Sequence, residues 1–274
     1  MQELLQEQEI HGENQNSHNI TGSSSNPFKI KITIDIKRPT TSGYTNDISM
    51  LVGGQTDGSI FANSEIDVKS GTIGRILGGS IGVDRTISGY PSNTFIGATK
   101  ISVSGGTVGE LYGASLGRQK SDVYFYGTIE INISGGTITQ AIYGAGGGGT
   151  TGYHTSSTDP YKANYGYGVE TYTKIKITGG YIDGNVYGGG YGYSEYLNYN
   201  TIANDGGALY GDSYIEISGG EVNGNIYGAG KGYSGYRQKT SLAQMIGETH
   251  IEISGTAIIK DVYGAGEGVR TTRI

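Results

Sequence analysis

Two glutamates have the types and spacing that could do chemistry together. Glu216 and Glu252 occupy the same place in two similar segments, IEISGG at 215–220 and IEISGT at 251–256. If these segments are neighbouring strands, the two carboxyl groups lie about one strand spacing apart. That is near the roughly 5 Å between the acid and the nucleophile of a retaining glycosidase. The pair is therefore the catalytic candidate of this chain.

The same pair has a simpler interpretation as part of an exposed ladder of side chains. The two carboxylates then splay apart, and Lys176, one unit earlier at the same position, neutralises one of them. A flat face gives little desolvation to separate two carboxyl pKa values, and the acid and nucleophile roles need that separation. We therefore expect a non-catalytic protein.

Other apparent motifs lack the context that their chemistry needs. Ser80 and Ser115 each sit in a G-x-S-x-G sequence, but no helical pattern follows to form a nucleophile elbow. The four histidines have no ligand spacing; they are His11, His18, His154 and His250. With no cysteine in the chain, we expect neither a metal nor a cofactor.

The tyrosines are the binding candidates. The chain has 23 Tyr against 4 Phe and no Trp, and many lie in two polar stretches at 149–172 and 193–213. A tyrosine joins a flat apolar ring to a hydroxyl, which suits sugar rings and protein surfaces. The predicted ligand-binding residues are Tyr153, Tyr161, Tyr165, Tyr167, Tyr193, Tyr196 and Tyr199. The alternative is that these tyrosines only cover the flanks of the scaffold.

A repeat organises the rest of the chain. Six related segments begin at residues 66, 101, 131, 175, 215 and 251, and a degenerate copy lies at 29–36 with 48–54. Each begins with alternating β-branched residues, typical of a strand with one buried face, and continues through Gly-Gly into a second short strand. Repeats a few tens of residues long indicate a solenoid or a propeller. No segment has helical periodicity, so the unit is all-β.

Stacking of the units in register makes specific predictions. The first outward position alternates in charge before two aromatic residues, reading Glu65, Lys100, Glu130, Lys174, Tyr214 and His250. A second position forms an aromatic ladder along one edge, reading Leu77, Tyr112, Tyr143, Tyr187, Tyr227 and Tyr263. Inward Ile, Val and Leu fill a shared core. We predict an all-β parallel β-solenoid (β-helix) of six to seven coils, of either hand, with the Tyr-rich loops at one corner.

Composition narrows the partners. The net charge is −6 without a basic cluster, which argues against nucleic acid. No apolar run approaches the roughly 20 residues that cross a bilayer, so we expect no membrane insertion. Residues 1–27 are predicted to be a flexible polar leader, and residues 28–274 the solenoid domain. The sequence VRTTRI lacks a polar cap after the sixth unit, so we expect truncation of a longer protein or self-association through open ends.

The segment ISGGEVNGNIYGAGKG at 217–232 carries a resemblance to a known class of protein. It resembles the Ser-Gly-Gly-Thr-Val-x-Gly-Asn-Val-Tyr-Gly-Gly-Gly repeats of large bacterial surface proteins, which look like adhesin-like parallel β-helical stalks. The resemblance covers residues 66–268, although Leu77 replaces the Tyr of the first unit and Thr256 the second Gly of the last. It implies a cell-surface or secreted location and transfers no catalytic residue.

Together these observations predict an adhesin-like structural module that is extracellular or on the cell surface. It would bind a glycan or a protein through its Tyr-rich loops. The alternative is a polysaccharide-active hydrolase or lyase on the same fold, because one fold hosts many functions. A second alternative is a filament or phage-fibre subunit that assembles through its ends.

Overall fold

The computed structural model describes residues 20–23, 25–37, 47–56, 58–82, 93–117, 123–152, 170–192, 206–234, 240–241 and 243–268. Every regular element in these ranges is a β-strand, and none of the described residues is helical. The strands are β1 (Ile20–Thr21), β2 (Phe28–Asp35), β3 (Ile48–Val52), β4 (Ser59–Ser70), β5 (Thr72–Leu77), β6 (Asn93–Ile96), β7 (Thr99–Val103), β8 (Thr107–Tyr112), β9 (Val123–Tyr126), β10 (Thr128–Ile133), β11 (Thr137–Tyr143), β12 (Thr150–Gly152), β13 (Tyr172–Ile182), β14 (Asn185–Tyr187), β15 (Leu209–Tyr210), β16 (Asp212–Val222), β17 (Ile226–Tyr227), β18 (Tyr233–Ser234), β19 (Thr240–Ser241), β20 (Met245–Ile246), β21 (Thr249–Ile253) and β22 (Val262–Tyr263).

Twenty of these strands pair in parallel as one open sheet that winds around a common axis. The first ladder contains β1, the start of β4, β6, β9, β12, β15 and β20. The second contains β2, the rest of β4, β7, β10, β13, β16 and β21. The third contains β3, β5, β8, β11, β14, β17 and β22. Seven members in each ladder make seven windings, so the predicted parallel β-solenoid is confirmed.

The core lies inside the windings, at the positions that alternation predicts. In the second ladder Ile32, Ile66, Ile101, Ile131, Ile175, Ile215 and Ile251 pair one above another. The five from Ile66 to Ile215 have no exposed surface. Ile182 and Val186 of the third ladder are equally buried. No single winding encloses its own apolar face, so each depends on its neighbours for burial.

Glycines make the corners because the neighbouring winding lies against them. Gly127, between the first and second ladders, has φ 142°, and a Cβ there would come within 1.8 Å of the Gly97 carbonyl oxygen. The next corner uses the second glycine of a Ser-Gly-Gly or Thr-Gly-Gly motif; at Gly136 and Gly180 the φ values are 77° and 86°. Since side chains rarely adopt this left-handed region, the Gly pairs mark the corners of the solenoid.

Buried hydroxyls fasten the ladders to each other across the winding. The Thr99 hydroxyl donates to the Gly113 carbonyl oxygen at 2.8 Å, and Thr173 donates to Gly188 at 2.7 Å. Ile129 occupies the same place in the winding between them. The bond is therefore an addition to a core that also tolerates an apolar residue.

The predicted charge ladder is confirmed on the outer face of the second ladder. Lys31, Glu65, Lys100, Glu130, Lys174, Tyr214 and His250 pair in that order. The Lys31 ammonium lies 3.9 Å from the Glu65 carboxylate. A diagonal ion pair lies further along this face, where the Lys174 ammonium is 2.7 Å from the Glu216 carboxylate. This face is flat, regular and charged.

The connections between strands leave the solenoid at more than one corner. Residues 153–169 follow the first ladder, between Gly152 and the start of β13, whereas residues 193–205 lie between Gly192 and β15. The two Tyr-rich stretches thus attach at opposite ends of the first ladder. The sequence predicts instead that both project from a single corner. The first ladder begins with β1, whose two residues belong to the stretch assigned by composition to the leader.

Candidate functional site

Stacked tyrosines form a continuous column on the outer side of the third ladder, as the repeat predicts. The ring centroids of Tyr112 and Tyr143 are 4.8 Å apart, those of Tyr143 and Tyr187 5.0 Å, and those of Tyr187 and Tyr227 5.0 Å. The column ends with Tyr263 at 4.9 Å. These separations match the spacing of neighbouring strands, so the stack follows directly from the register.

A fourth, narrow ladder covers the tyrosine column. It is made by single bridges between Ile81, Leu116, Gly147, Tyr191, Lys231 and Glu267. The Tyr191 ring stacks on Tyr143 at 5.2 Å, and the Lys231 ammonium lies 5.8 Å from the centre of the Tyr187 ring. Tyr112 and Tyr187 are at most 1% exposed as a result. The column is therefore a second apolar core over most of its length.

Hydrogen bonds fix the hydroxyl of Tyr187. It accepts from the side-chain amide of Asn185 at 2.8 Å and donates to the carboxylate of Glu267, which belongs to the last winding. Burial raises the pKa of Tyr187 well above the usual tyrosine range, and the hydrogen bond to Glu267 acts in the same direction. Burial likewise raises the pKa values of Tyr112 and Tyr143, with the Glu110 carboxylate adding to it.

Alkaline pH is expected to unfold the protein rather than ionise the column in place. An ordinary tyrosine ionises near pH 10. Below about pH 10 neither state ionises, so these raised pKa values leave stability constant. Above it the unfolded chain releases protons that the folded column retains, so stability falls. Phenolate absorbance should rise in two stages, the second together with loss of the β circular dichroism signal. Ionisation of every tyrosine before that loss would contradict the buried column.

A second apolar stripe lies on the outer side of the first ladder, and the alternation pattern did not predict it. Phe61, Ile96 and Tyr126 pair in register, separate from the central core, and are at most 7% exposed. Tyr210 continues the stripe in the sixth winding, paired with Gly152. The signal was present in VYFY at 123–126, where residues of both faces are apolar instead of alternating with polar ones. This stripe lies between the attachment points of the two Tyr-rich stretches.

The structure places the two candidate glutamates next to each other. Glu216 and Glu252 are directly paired on neighbouring windings, above a depression of about 190 Å³ that Lys176 also lines. The Lys174 ammonium holds Glu216, and that hydrogen bond raises the pKa of Lys174. Glu252 is exposed on the flat face. The geometry brings two carboxylates together, but one is neutralised and neither is enclosed.

The two serines of the G-x-S-x-G sequences serve the scaffold. Ser115 accepts a hydrogen bond from the Ser80 amide at 2.9 Å, and the Ser80 hydroxyl accepts one from the Gln55 amide at 3.2 Å. Both serines are buried. His250 stacks on Tyr214 with a ring separation of 4.7 Å and lies 3.4 Å from the Glu248 carboxylate. The serine hydrogen bonds and the stacking of His250 on Tyr214 join neighbouring windings, and both serines are occupied by the scaffold.

The predicted ligand-binding tyrosines lie outside the described residues. They are Tyr153, Tyr161, Tyr165, Tyr167, Tyr193, Tyr196 and Tyr199. Their described neighbours at the attachment points include Tyr191, whose ring makes an edge contact with Tyr233 at 6.2 Å. In the described part of the chain, no group of three or more acidic or histidine side chains is placed to hold a metal ion.

Comparison of the chain with protein-family models, with curated proteins and with solved structures finds no match. Among the described residues, no helix has the length and apolar character to span a bilayer.

Proposed function

We propose that this chain is a non-catalytic, adhesin-like structural module of a bacterial surface or secreted protein, which binds a glycan or a protein through its Tyr-rich loops. The observation that supports this most is the unbroken stacking of seven windings around one core. Because each winding is held by its neighbours, the solenoid is a rigid support that keeps loop attachment points at fixed positions. Binding residues are commonly found on loops that a rigid scaffold positions.

The attachment points of the two Tyr-rich stretches favour a shared binding surface. Residues 153–169 leave the fifth winding at one end of the first ladder, and residues 193–205 return to the sixth at the other end. The described side chains nearby are also aromatic, including Tyr210 and Tyr191. Aromatic rings with hydroxyls bury contact area at a low entropy cost, which suits recognition of sugars and proteins.

The decisive experiment combines a glycan array and a surface-protein panel with matched loop variants. One variant changes Tyr153, Tyr161, Tyr165 and Tyr167 to serine, and a second changes Tyr193, Tyr196 and Tyr199. Loss of at least about tenfold in affinity is expected, because aromatic anchors dominate such interfaces. The matched controls carry phenylalanine at the same positions, which keeps the rings, and should lose less. A ligand bound equally by all variants would contradict the role of the loops.

The pairing of Glu216 with Glu252 favours a polysaccharide-active hydrolase or lyase as the second candidate. If the pair were catalytic, Glu216→Gln or Glu252→Gln would lower the rate of polysaccharide cleavage by several orders of magnitude. We expect no product from the unmodified protein or from either variant in reducing-sugar assays. Product from the unmodified protein that both variants lose would establish the enzyme and refute the adhesive proposal.

The last described winding favours self-association as a further property. Val262 is 43% exposed, although its counterparts Ile226 and Val186 in earlier windings are buried, and Ile258 is 61% exposed. Contact with a second copy would remove this apolar surface from water. Analytical ultracentrifugation at rising protein concentration measures self-association directly. An average molecular mass that increases with concentration supports association, and a constant monomer mass refutes it for this chain.

A further inference from the structure

A depression of about 450 Å³ lies across the first three windings, at the end of the solenoid opposite to the winding that contains Tyr263. Its lining includes Lys29, Lys31, Asn63, Glu65, Ala98 and Lys100. Lys29 pairs with Asn63, and Lys31, Glu65 and Lys100 pair in sequence, so the charged residues occupy outward positions of the second ladder. The depression therefore opens on the flat face, away from the attachment points of the Tyr-rich stretches.

The charge of this depression is positive although the chain as a whole is negative. Three lysines against one glutamate give a local charge of +3 − 1 = +2. Only Lys31 has an ion pair with Glu65, at 3.9 Å; in the part of the chain that the structure describes, Lys29 and Lys100 have none. A bound anion would give Lys29 and Lys100 the ion-pair contact that they lack.

Hydrogen-bonding groups restrict the kind of anion. The Asn63 side-chain oxygen accepts from the Ala98 amide at 3.1 Å, so the NH2 end of the Asn63 amide remains a donor. The Glu65 carboxylate lies among the cations and can accept from hydroxyl groups. A phosphate group, which concentrates close to two negative charges, would meet stronger repulsion from Glu65 than a singly charged carboxylate, whose neighbouring hydroxyls can also donate to Glu65. Lys31 and Lys100 are two windings apart, roughly 10 Å along the axis, which suits a chain of linked units.

We propose that this depression, the lysine site, binds a carboxylate-bearing saccharide of the uronic acid class. The ammonium groups of Lys29, Lys31 and Lys100 neutralise carboxylates on successive sugars, and Glu65 accepts hydrogen bonds from sugar hydroxyls. Charge-assisted hydrogen bonds of this type are the stronger ones. The far end of the same face carries Glu216 and Glu252, which repel the same polymer. The saccharide therefore engages one end of the solenoid.

Titration calorimetry with an oligogalacturonate tests the lysine site. The double variant Lys29→Gln/Lys100→Gln should weaken binding about tenfold, the lower end for lost charged hydrogen bonds. The control variant Lys174→Gln/Lys176→Gln removes an equal number of positive charges from the same face and should change the affinity less than about twofold. Equal loss in the control would show nonspecific attraction and overturn the proposal. An unmodified protein that fails to bind the oligosaccharide would overturn it too.

Two further comparisons separate saccharide recognition from a general attraction of anions to the lysines. Inorganic phosphate and acetate should bind much more weakly than the oligosaccharide, and binding of either with equal affinity would refute saccharide recognition. The variant Glu65→Gln removes the negative charge that disfavours phosphate, so it should narrow the preference for the oligosaccharide over phosphate. An unchanged preference would exclude the charge of Glu65 as the source of that preference. Serine variants of the loop tyrosines should bind oligogalacturonate normally. The two proposals can therefore fail separately. The loop proposal is tested by the ligand affinity of the tyrosine variants, and the lysine site by the oligogalacturonate affinity of the lysine variants.

Discussion

Replacing Tyr187 with alanine is expected to destabilise the protein by about 3–5 kcal/mol, the range for removing a large buried aromatic side chain. Tyr187 has no exposed surface and stacks on Tyr143 and Tyr227 at 5.0 Å on each side. The truncation breaks both stacks and leaves a cavity between the third and fourth ladders. It also removes the hydroxyl that Asn185 and Glu267 bind. Guanidinium unfolding followed by circular dichroism measures the loss.

Two variants control this prediction. Tyr263→Ala removes the same side chain at the same repeat position, where it is 46% exposed and, among the described residues, stacks only on Tyr227. Its cost should be at most about 1 kcal/mol, close to that of a surface change. Tyr187→Phe keeps the stack and removes only the hydroxyl, so its cost should be about 1–2 kcal/mol. Equal losses for Tyr187→Ala and Tyr263→Ala would show that the column contributes nothing to the core.

Replacing Gly144 with alanine is expected to cost about 3 kcal/mol or more, since overpacking forces backbone shifts. A Cβ at Gly144 would come within 2.2 Å of the Gly188 carbonyl oxygen and 3.0 Å of the Thr173 Cβ. Both contacts belong to the next winding, and a backbone oxygen cannot move aside as a flexible side chain can. The fourth and fifth windings would have to separate. In guanidinium unfolding, the denaturant concentration at the midpoint should fall, and the transition should extend over a wider range of concentration.

The chain offers a matched control for Gly144. Gly264 occupies the same corner in the last winding, and a Cβ there would meet no atom within 4 Å. Gly264→Ala should therefore change stability by less than about 0.5 kcal/mol. The comparison isolates the effect of the neighbouring winding, because the substitution and the local sequence Tyr-Gly-Ala-Gly are shared. A large loss in both variants would mean that the corner conformation, and not the stacking, requires glycine.

Side-chain alternation predicted the fold because the repeat supplies the same information several times. Ile175 and Ile217 are both completely or almost completely buried, as Ile-x-Ile in their units predicts. The charge ladder and the tyrosine column follow from the same register, since like positions must stack when units of one pattern wind around one axis. The positions of the glycine corners were likewise readable as breaks between alternating segments.

The binding surfaces were much less predictable. The lysine site depends on how Lys29 and Lys100, 71 positions apart in the sequence, meet on one face with Asn63 between them. The sequence of the first winding matches the repeat poorly, so the repeat did not predict that its lysines belong to a binding site. The stripe of Phe61, Ile96 and Tyr126 was not predicted for a different reason: it breaks the rule that polar residues point outward, on which the strand assignment depends.

The amino-acid sequence alone determined the strand pattern, the inward and outward faces and the in-register stack, because these follow from local alternation repeated along the chain. The tertiary structure decided which corner each connection leaves, how deeply the tyrosine column is covered, and that Glu216 is held by Lys174. Those properties depend on contacts between windings, where side chains from distant positions compete for the same space and charge. A repeat pattern fixes equivalent backbone positions, while the residues that differ between units set the chemistry of the surface.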